Sequence, residues 1–296
     1  MSEPTDEDLG FGSSSSVAPL RCVAMRRPGA ILTADHQRWH YTKPLDPDAL
    51  AEQYDVFAQL VERSGAEILW LDDADDDLAD SVFTYDPSFA VPGGAVVLRP
   101  GKPLRAGEAD VHAAFYDAVG VPVLGRIEAP GVFEGGDCFW LDATTLAVGR
   151  GFRTNQAGID QMAEVVASLG VTIEAYDLPY HLGPDACLHL MSVVSVLDDD
   201  LALVHPPLMP TALYQRMVDM GYTLLEAPAA EFDASLGLNL NVLATAPRKV
   251  IALDGFDGTL ALMRDADCDV TTFAGDELCI PCEGGPTCLT RPLTRG

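Results

Sequence analysis

The sequence predicts an α/β fold in which five ββαβ units close into a ring, a five-bladed propeller with its helices outside and a pocket at the centre. Three observations carry this. A phrase of helix, glycine and apolar strand recurs at Gly65, Gly120, Gly170 and Gly221, and a fifth time, without its glycine, at Asp267. The intervals are 55, 50, 51 and 46 residues, a near-constant step that marks a repeat architecture. Ahead of the helices lie pairs of short apolar runs, as at 138–141 then 145–148, or 190–196 then 201–204. One such unit cannot cover its own apolar face. Closing five into a ring does so and leaves the axis as the place for a ligand.

The helices are legible in order. In the first unit Asp46 is placed to cap, Pro47 takes the first helical position, and Leu50, Tyr54, Phe57 and Val61 form one apolar stripe. His112 falls inside the helix of the second unit. The third helix, over 154–169, aligns Ile159, Met162, Val166 and Leu169, with Thr154 as N-cap and Gly170 as its stop. The stretch 33–44, with His36, Trp39, His40 and Tyr41, is irregular and is read as a lid over the pocket or a surface loop. Residues 1–19 are polar and serine-rich and are expected to be a disordered tail before one catalytic domain over 20–296.

Composition narrows the function. Asp and Glu total 45 against 18 Lys and Arg, a formal charge of −27, which argues against nucleic acid and anionic membranes as partners. Acidic runs at 72–77 and 198–200 read as solvated surface, and adaptation to high salt is compatible with them because screening removes the repulsion. Seven irregularly spaced cysteines, with no signal-peptide core and no long apolar span, point to a cytoplasmic protein with reduced thiols, a monomer or a homodimer.

Three polar features stand at strand ends. Glu134-Gly135-Gly136-Asp137 opens the third unit, Cys187-Leu188-His189-Leu190 the fourth, and Gly284-Gly285-Pro286-Thr287-Cys288 closes the fifth. Meeting at the axis, Cys288 would supply a nucleophile, His189 a proton carrier and Glu134 the acid that orients it. The glycines allow backbone amides to approach Cys288 and lower its pKa. Cys279 and Cys282 form a C-x-x-C pair, but a zinc site needs four ligands and no second pair or histidine motif follows, so no metal and no cofactor are expected.

These residues, taken with Asp80 to Asp86, Arg99-Pro100-Gly101, Arg105 to Glu108, Arg153-Thr154-Asn155 and Asn241-Val242-Leu243, occur in the order found in a known group. Over about residues 20–296 the chain resembles the guanidine-modifying superfamily of arginine deiminases, amidinotransferases and dimethylarginine dimethylaminohydrolases, five-bladed propellers of the pentein fold. The resemblance implies Cys288 as nucleophile, His189 as general acid and base, and Glu134 as its orienting carboxylate. It also implies Asp86 on the substrate guanidinium, Asp80 near its α-ammonium, and Arg105 and Arg153 on its α-carboxylate. Where the deiminases and amidinotransferases carry a second guanidinium-binding aspartate after His-Leu, this chain has Met191, an apolar wall that favours the dimethylarginine branch. Tyr85 stands where that branch commonly has glutamate. The implied reaction is hydrolysis of arginine or N-methylated arginine to citrulline, with an arginine deiminase or dihydrolase, and then an amidinotransferase, as rivals.

Overall fold

Five three-stranded sheets set the architecture. The structure, a computed structural model, describes residues 10–72, 77–184 and 186–296. In every sheet the middle strand pairs antiparallel with one neighbour and parallel with the other. The antiparallel partners line the axis, while a helix crosses over between the two parallel strands, as the parallel geometry requires. Blade two holds Ser88–Val91, Gly94–Val97 and Val123–Arg126, with helix Glu108–Val119. Blade three holds Cys138–Asp142, Thr145–Arg150 and Thr172–Asp177, with helix Gln156–Ala167. Blade four holds Val194–Asp198, Leu201–Val204 and Thr223–Glu226, with helix Thr211–Asp219, and blade five Leu243–Ala246, Lys249–Leu253 and Asp269–Phe273, with helix Asp257–Asp265.

Blade one joins the two ends of the chain and corrects one expectation. Its middle strand Leu20–Met25 pairs with Glu67–Trp70 across helix Pro47–Arg63, but its inner strand is Arg291–Arg295. Cys288 therefore leads into blade one instead of closing the fifth unit. The last strand staples the ring shut, leaving neither end of the chain to cover an edge alone.

The recurring glycine is explained by backbone geometry. Residues 65, 120, 170 and 221 all end their helices with φ between +74° and +93°, the left-handed conformation that favours glycine, and Asp267 adopts φ +62° at the fifth such place. Asp46 caps the first helix by accepting from the Asp48 and Ala49 amides, and Leu50, Tyr54, Phe57 and Val61 are all buried. In blade three the cap is Asn155, which accepts from the Gly158 amide, and the helix begins at Gln156. Thr154 is instead buried, its hydroxyl accepting from the Glu134 amide at 3.2 Å.

The segment 10–19 also departs from the expected tail. Residues 1–9 and 73–76, the latter part of the first acidic run, lie outside the described residues. Residues 10–19 are built into the fold: the Gly12 amide donates to Leu293 O at 2.8 Å, Ser16 exchanges hydrogen bonds with the Trp140 backbone, and Val17 is buried. Backbone pairing and one apolar anchor outweigh the polar composition that reads as disorder. The middle strands, Ala95 to Val97, Leu146 to Val148, Leu201 to Val204 and Val250 to Leu253, are wholly buried between helix and neighbouring blade. Among the described residues no helix is long and apolar enough to cross a membrane, and all seven cysteines are free.

Candidate active site

Each inner strand is entered through a short polar segment at the same end of the ring, and five blades deliver one group each. Asp86 precedes the inner strand of blade two, Glu134 that of blade three, His189 that of blade four, Asn241 that of blade five and Cys288 that of blade one. Repeat symmetry alone brings these five side chains together, although they span more than two hundred positions.

Glu134 is fully buried and its carboxylate is surrounded by donors. His189 Nε2 lies 2.6 Å from its Oε2, the Gly101 amide donates to Oε1 at 2.7 Å, and Arg153 Nη1 approaches both oxygens at 3.3 and 3.4 Å. Burial alone would raise its pKa, but the hydrogen bond and charge of His189, then Arg153 and Arg105, hold it well below the usual carboxylate range. His189 shows the converse balance. Burial disfavours the imidazolium, yet the Cys187 sulfur, Asp86 and Asp137 together hold its pKa well above the ordinary value. The Cys187 Sγ is 3.5 Å from His189 Nδ1. The histidine is thus charged and clamped, with the backbone of Gly136 so close that a Cβ there would sit 2.5 Å from Nδ1.

Cys288 departs from expectation in one respect. Asn241 Nδ2 lies 3.1 Å from its Sγ, and the Gly285 backbone and His189 also favour the thiolate. Burial, reinforced by the Asp86 carboxylate, outweighs them and pushes the thiol up to about 11. The glycine-lined approach of amides is present, but desolvation wins in the resting site.

The carboxylates and arginines expected on a substrate are also present, already paired. Asp86 accepts from the Gly136 amide at 2.9 Å and from Arg105 Nη1 at 2.7 Å. Arg105 in turn donates to both oxygens of Glu108 at 3.0 Å and to Phe83 O, which locks it as the positioner of Asp86. Asp80 accepts from Lys102 Nζ at 2.6 Å and from Tyr41 OH at 2.8 Å. Arg153 differs: among the described residues its Nε and Nη2 engage no hydrogen-bond partner. All seven residues named from the sequence line one cavity of about 420 Å³, which Trp39, His40, Lys102 and Glu283 also border. The stretch 33–44 therefore does form part of its wall, and Lys102 holds the Trp39 carbonyl oxygen as well as Asp80. Met191 and Tyr85 sit elsewhere, in a smaller space behind Cys288 and His189.

Sequence reasoning gave no role to Asn241, Lys102, Tyr41, Cys187 or the Gly101 amide. Asn241 stood in a quoted motif, and its place before an inner strand, like that of the other four, was the signal that could have found it. Among the described residues the one grouping of ligating atoms within 4.8 Å is Asp86, Glu134 and His189, and neither cysteine of the C-x-x-C pair belongs to it. Cys279 is buried in the core, and Cys282 borders the cavity.

A closed five-bladed α/β propeller carrying an axial cysteine, histidine and paired carboxylates defines the class. A family model described as arginine deiminase matches residues 72–227, just over half of the chain, and the chain belongs to that family. It is 28% identical over 265 residues to an N(G),N(G)-dimethylarginine dimethylaminohydrolase of Streptomyces coelicolor, covering 89% of this chain and 96% of that protein. It is 31% identical over 212 residues to the enzyme of the same name from Mycobacterium tuberculosis, covering 70% and 66% respectively. Against an arginine deiminase of Listeria welshimeri it is 25% identical and spans 63% of that protein's length. In fold it matches DDAH from Pseudomonas aeruginosa in complex with citrulline, at TM-score 0.73, 20% identity and coverage of 92% and 99%. It also matches SxtG, an amidinotransferase from Microseira wollei, at TM-score 0.77, 15% identity and 97% coverage of both chains.

Proposed function

We propose that this protein is a dimethylargininase-like hydrolase that cleaves the guanidine C–N bond of an N-methylated arginine, giving citrulline and a methylated amine. The observation that carries this reading is the convergence of Cys288, His189, Glu134 and Asp86 from four blades on one cavity, with Asn241 of the fifth on the Cys288 sulfur. A guanidinium is a planar cation whose N–H groups match carboxylates in pairs. Asp86 and Glu134 are its partners here. Its positive charge, placed beside Cys288, reverses the influence of Asp86 and draws the thiol proton off into solvent.

The thiolate then attacks the guanidine carbon, forming an S–C bond and a tetrahedral adduct. The His189 imidazolium protonates the departing amine as the C–N bond breaks, leaving an S-alkylthiouronium on Cys288. Neutral His189 next takes a proton from water, the hydroxide adds to the same carbon, and the C–S bond breaks to release the ureido product and restore the sulfur. Asn241 steadies the thiolate, and Gly101 with Arg153 keeps Glu134 ionised throughout. At the other end of the substrate, Arg153 takes the α-carboxylate, Arg105 adds its charge from its place beside Asp86, and Asp80 takes the α-ammonium in exchange for Lys102. The described residues act as one catalytic domain, and a mechanism built on a free thiol suits the reducing cytoplasm.

The arginine deiminase family match supports a second reading, in which free arginine is the substrate and ammonia the product. Near-complete coverage of the Streptomyces relative, against 63% of the Listeria deiminase, favours the first. Incubation with asymmetric dimethylarginine, monomethylarginine, arginine and agmatine, scored for ureido product and for amine, separates the two. Dimethylamine release that vanishes in Cys288→Ser supports the proposal. Ammonia release from arginine alone identifies the deiminase, and transfer to an added amine acceptor an amidinotransferase.

A further inference from the structure

At the other end of the axis the inner strands enclose a second cavity, lined by Arg291, Arg295, Tyr85, Ser15, Ser195 and Thr287 among others. We propose that it is a binding site for a small inorganic anion such as chloride, held between Arg291 and Arg295 and covered by the serine segment 13–16.

The charge balance of the cavity argues for this. Arg291 is 2% exposed; its Nη2 donates to Tyr85 O, and its guanidinium lies 3.7 Å from the Tyr85 ring centre and 5.1 Å from that of Phe89. Its Nε is buried with no hydrogen-bond partner, an N–H pointing at nothing. Arg295 donates to Ala18 O at 2.8 Å. Among the described residues neither arginine has a carboxylate partner, in a chain where acids outnumber bases by more than two to one. The Tyr85 phenol cannot serve as counter-ion, because burial raises its pKa and keeps it neutral. Burial and Arg291 push the Arg295 guanidinium down only to about 10, so it is charged at neutral pH. Two like charges facing one desolvated space need an anion between them.

The mouth supplies the remaining donor. Ser15 Oγ accepts from the Val17 and Ala18 amides, which leaves its own proton to donate. The segment is held there by Gly12 on Leu293 and Ser16 on Trp140. The free space is about 40 Å³, enough for a monatomic anion or a few waters at roughly 10–15 Å³ each. A bulky organic acid such as gluconate exceeds this space. With a formal net charge of −27 repelling anions, selectivity must come from the cavity itself.

The test is thermal unfolding of the full chain in sodium chloride and in sodium gluconate at matched ionic strength. General screening acts equally in both salts, whereas the bulky gluconate cannot enter. Expected is a saturable excess in Tm of about 5 °C in chloride, abolished in Arg291→Gln. Equal Tm values in the two salts, or a chloride excess that persists in both Arg291→Gln and Arg295→Gln, overturn the proposal. Should Arg291→Gln not fold, Arg295→Gln and anomalous diffraction from bromide-soaked crystals decide. A bromide peak on Arg291 Nε supports the site; a cavity holding only water removes it.

Discussion

Glu134 Oε2 and His189 Nε2 lie 2.6 Å apart, across two blades and 55 positions of sequence. This pair fixes which nitrogen faces the carboxylate and adds a buried anion to the Cys187, Asp86 and Asp137 groups that hold the imidazole charged. Glu134→Gln keeps the shape and removes the charge. Its kcat should fall by about 10²- to 10³-fold. Because His189 loses a charge partner, the alkaline limb of the pH–rate profile should move to lower pH. An unmoved limb would make Glu134 a structural residue only.

Cys288 should be a slow nucleophile until a guanidinium arrives. With its thiol at about 11 in the resting site, alkylation by iodoacetamide at pH 7, mapped by mass spectrometry, is expected to be slow and to rise tenfold per pH unit. A bound guanidinium ligand that does not itself shield the sulfur should accelerate it. Asn241→Ala removes a donor to the sulfur and should lower kcat by about ten- to a hundredfold, on the scale of one lost charge-assisted hydrogen bond.

Asp137 gives a pH signature in stability. Its Oδ1 accepts from the Leu190 amide at 2.9 Å, and burial, opposed by His189, Thr154 and Leu190, pushes the carboxyl up to about 6. An unfolded aspartate titrates near ~3.9. The folded value is raised, so the contribution of this group is fully present below pH ~3.9 and is lost as pH rises through about 6. Asp137→Asn keeps the acceptor and cannot ionise. Denaturation at pH 4 and pH 7.5 should show the variant gaining about 2 kcal/mol on the parent between them; parallel curves would contradict the assignment.

Met191 and Tyr85 share the space behind Cys288 and His189, away from the main cavity. Cys288 and His189 border both spaces, and an apolar residue beside them is expected to tolerate N-methyl groups. Met191→Asp should therefore lower the ratio of kcat/KM for dimethylarginine over arginine by about tenfold or more. An unchanged ratio would place methyl recognition elsewhere.

The fifth repeat carries a correctable strain. Asp267 holds φ +62° where the other four units have glycine; its amide still donates to Arg264 O at 3.0 Å, a bond a glycine there would keep. Asp267→Gly should stabilise the fold by about 1 kcal/mol, read as a higher urea midpoint at constant m.

The residue pattern determined more of this protein than its low similarity to known structures would imply. The left-handed helix stops at 65, 120, 170 and 221 are conformations only glycine adopts freely, so they were visible as letters and, with the fifth place at Asp267 marked by the same spacing, gave the number of blades. Apolar stripes such as Leu50, Tyr54, Phe57 and Val61 follow from helical period and were equally plain. Cys288 and Glu134 were legible because glycines beside reactive groups leave a local signature, and His189 through its place between them in the ordered motifs. What only the tertiary structure decided was pairing across the ring. That Arg291–Arg295 completes blade one, that Arg105 is held by Glu108 and Asp86, that Lys102 meets Asp80, and that residues 10–19 are seated depend on contacts between distant positions. Desolvation is likewise a property of the assembled site: no local sequence states how much water burial removes from Cys288, and that removal outweighs the amides and places its thiol at about 11.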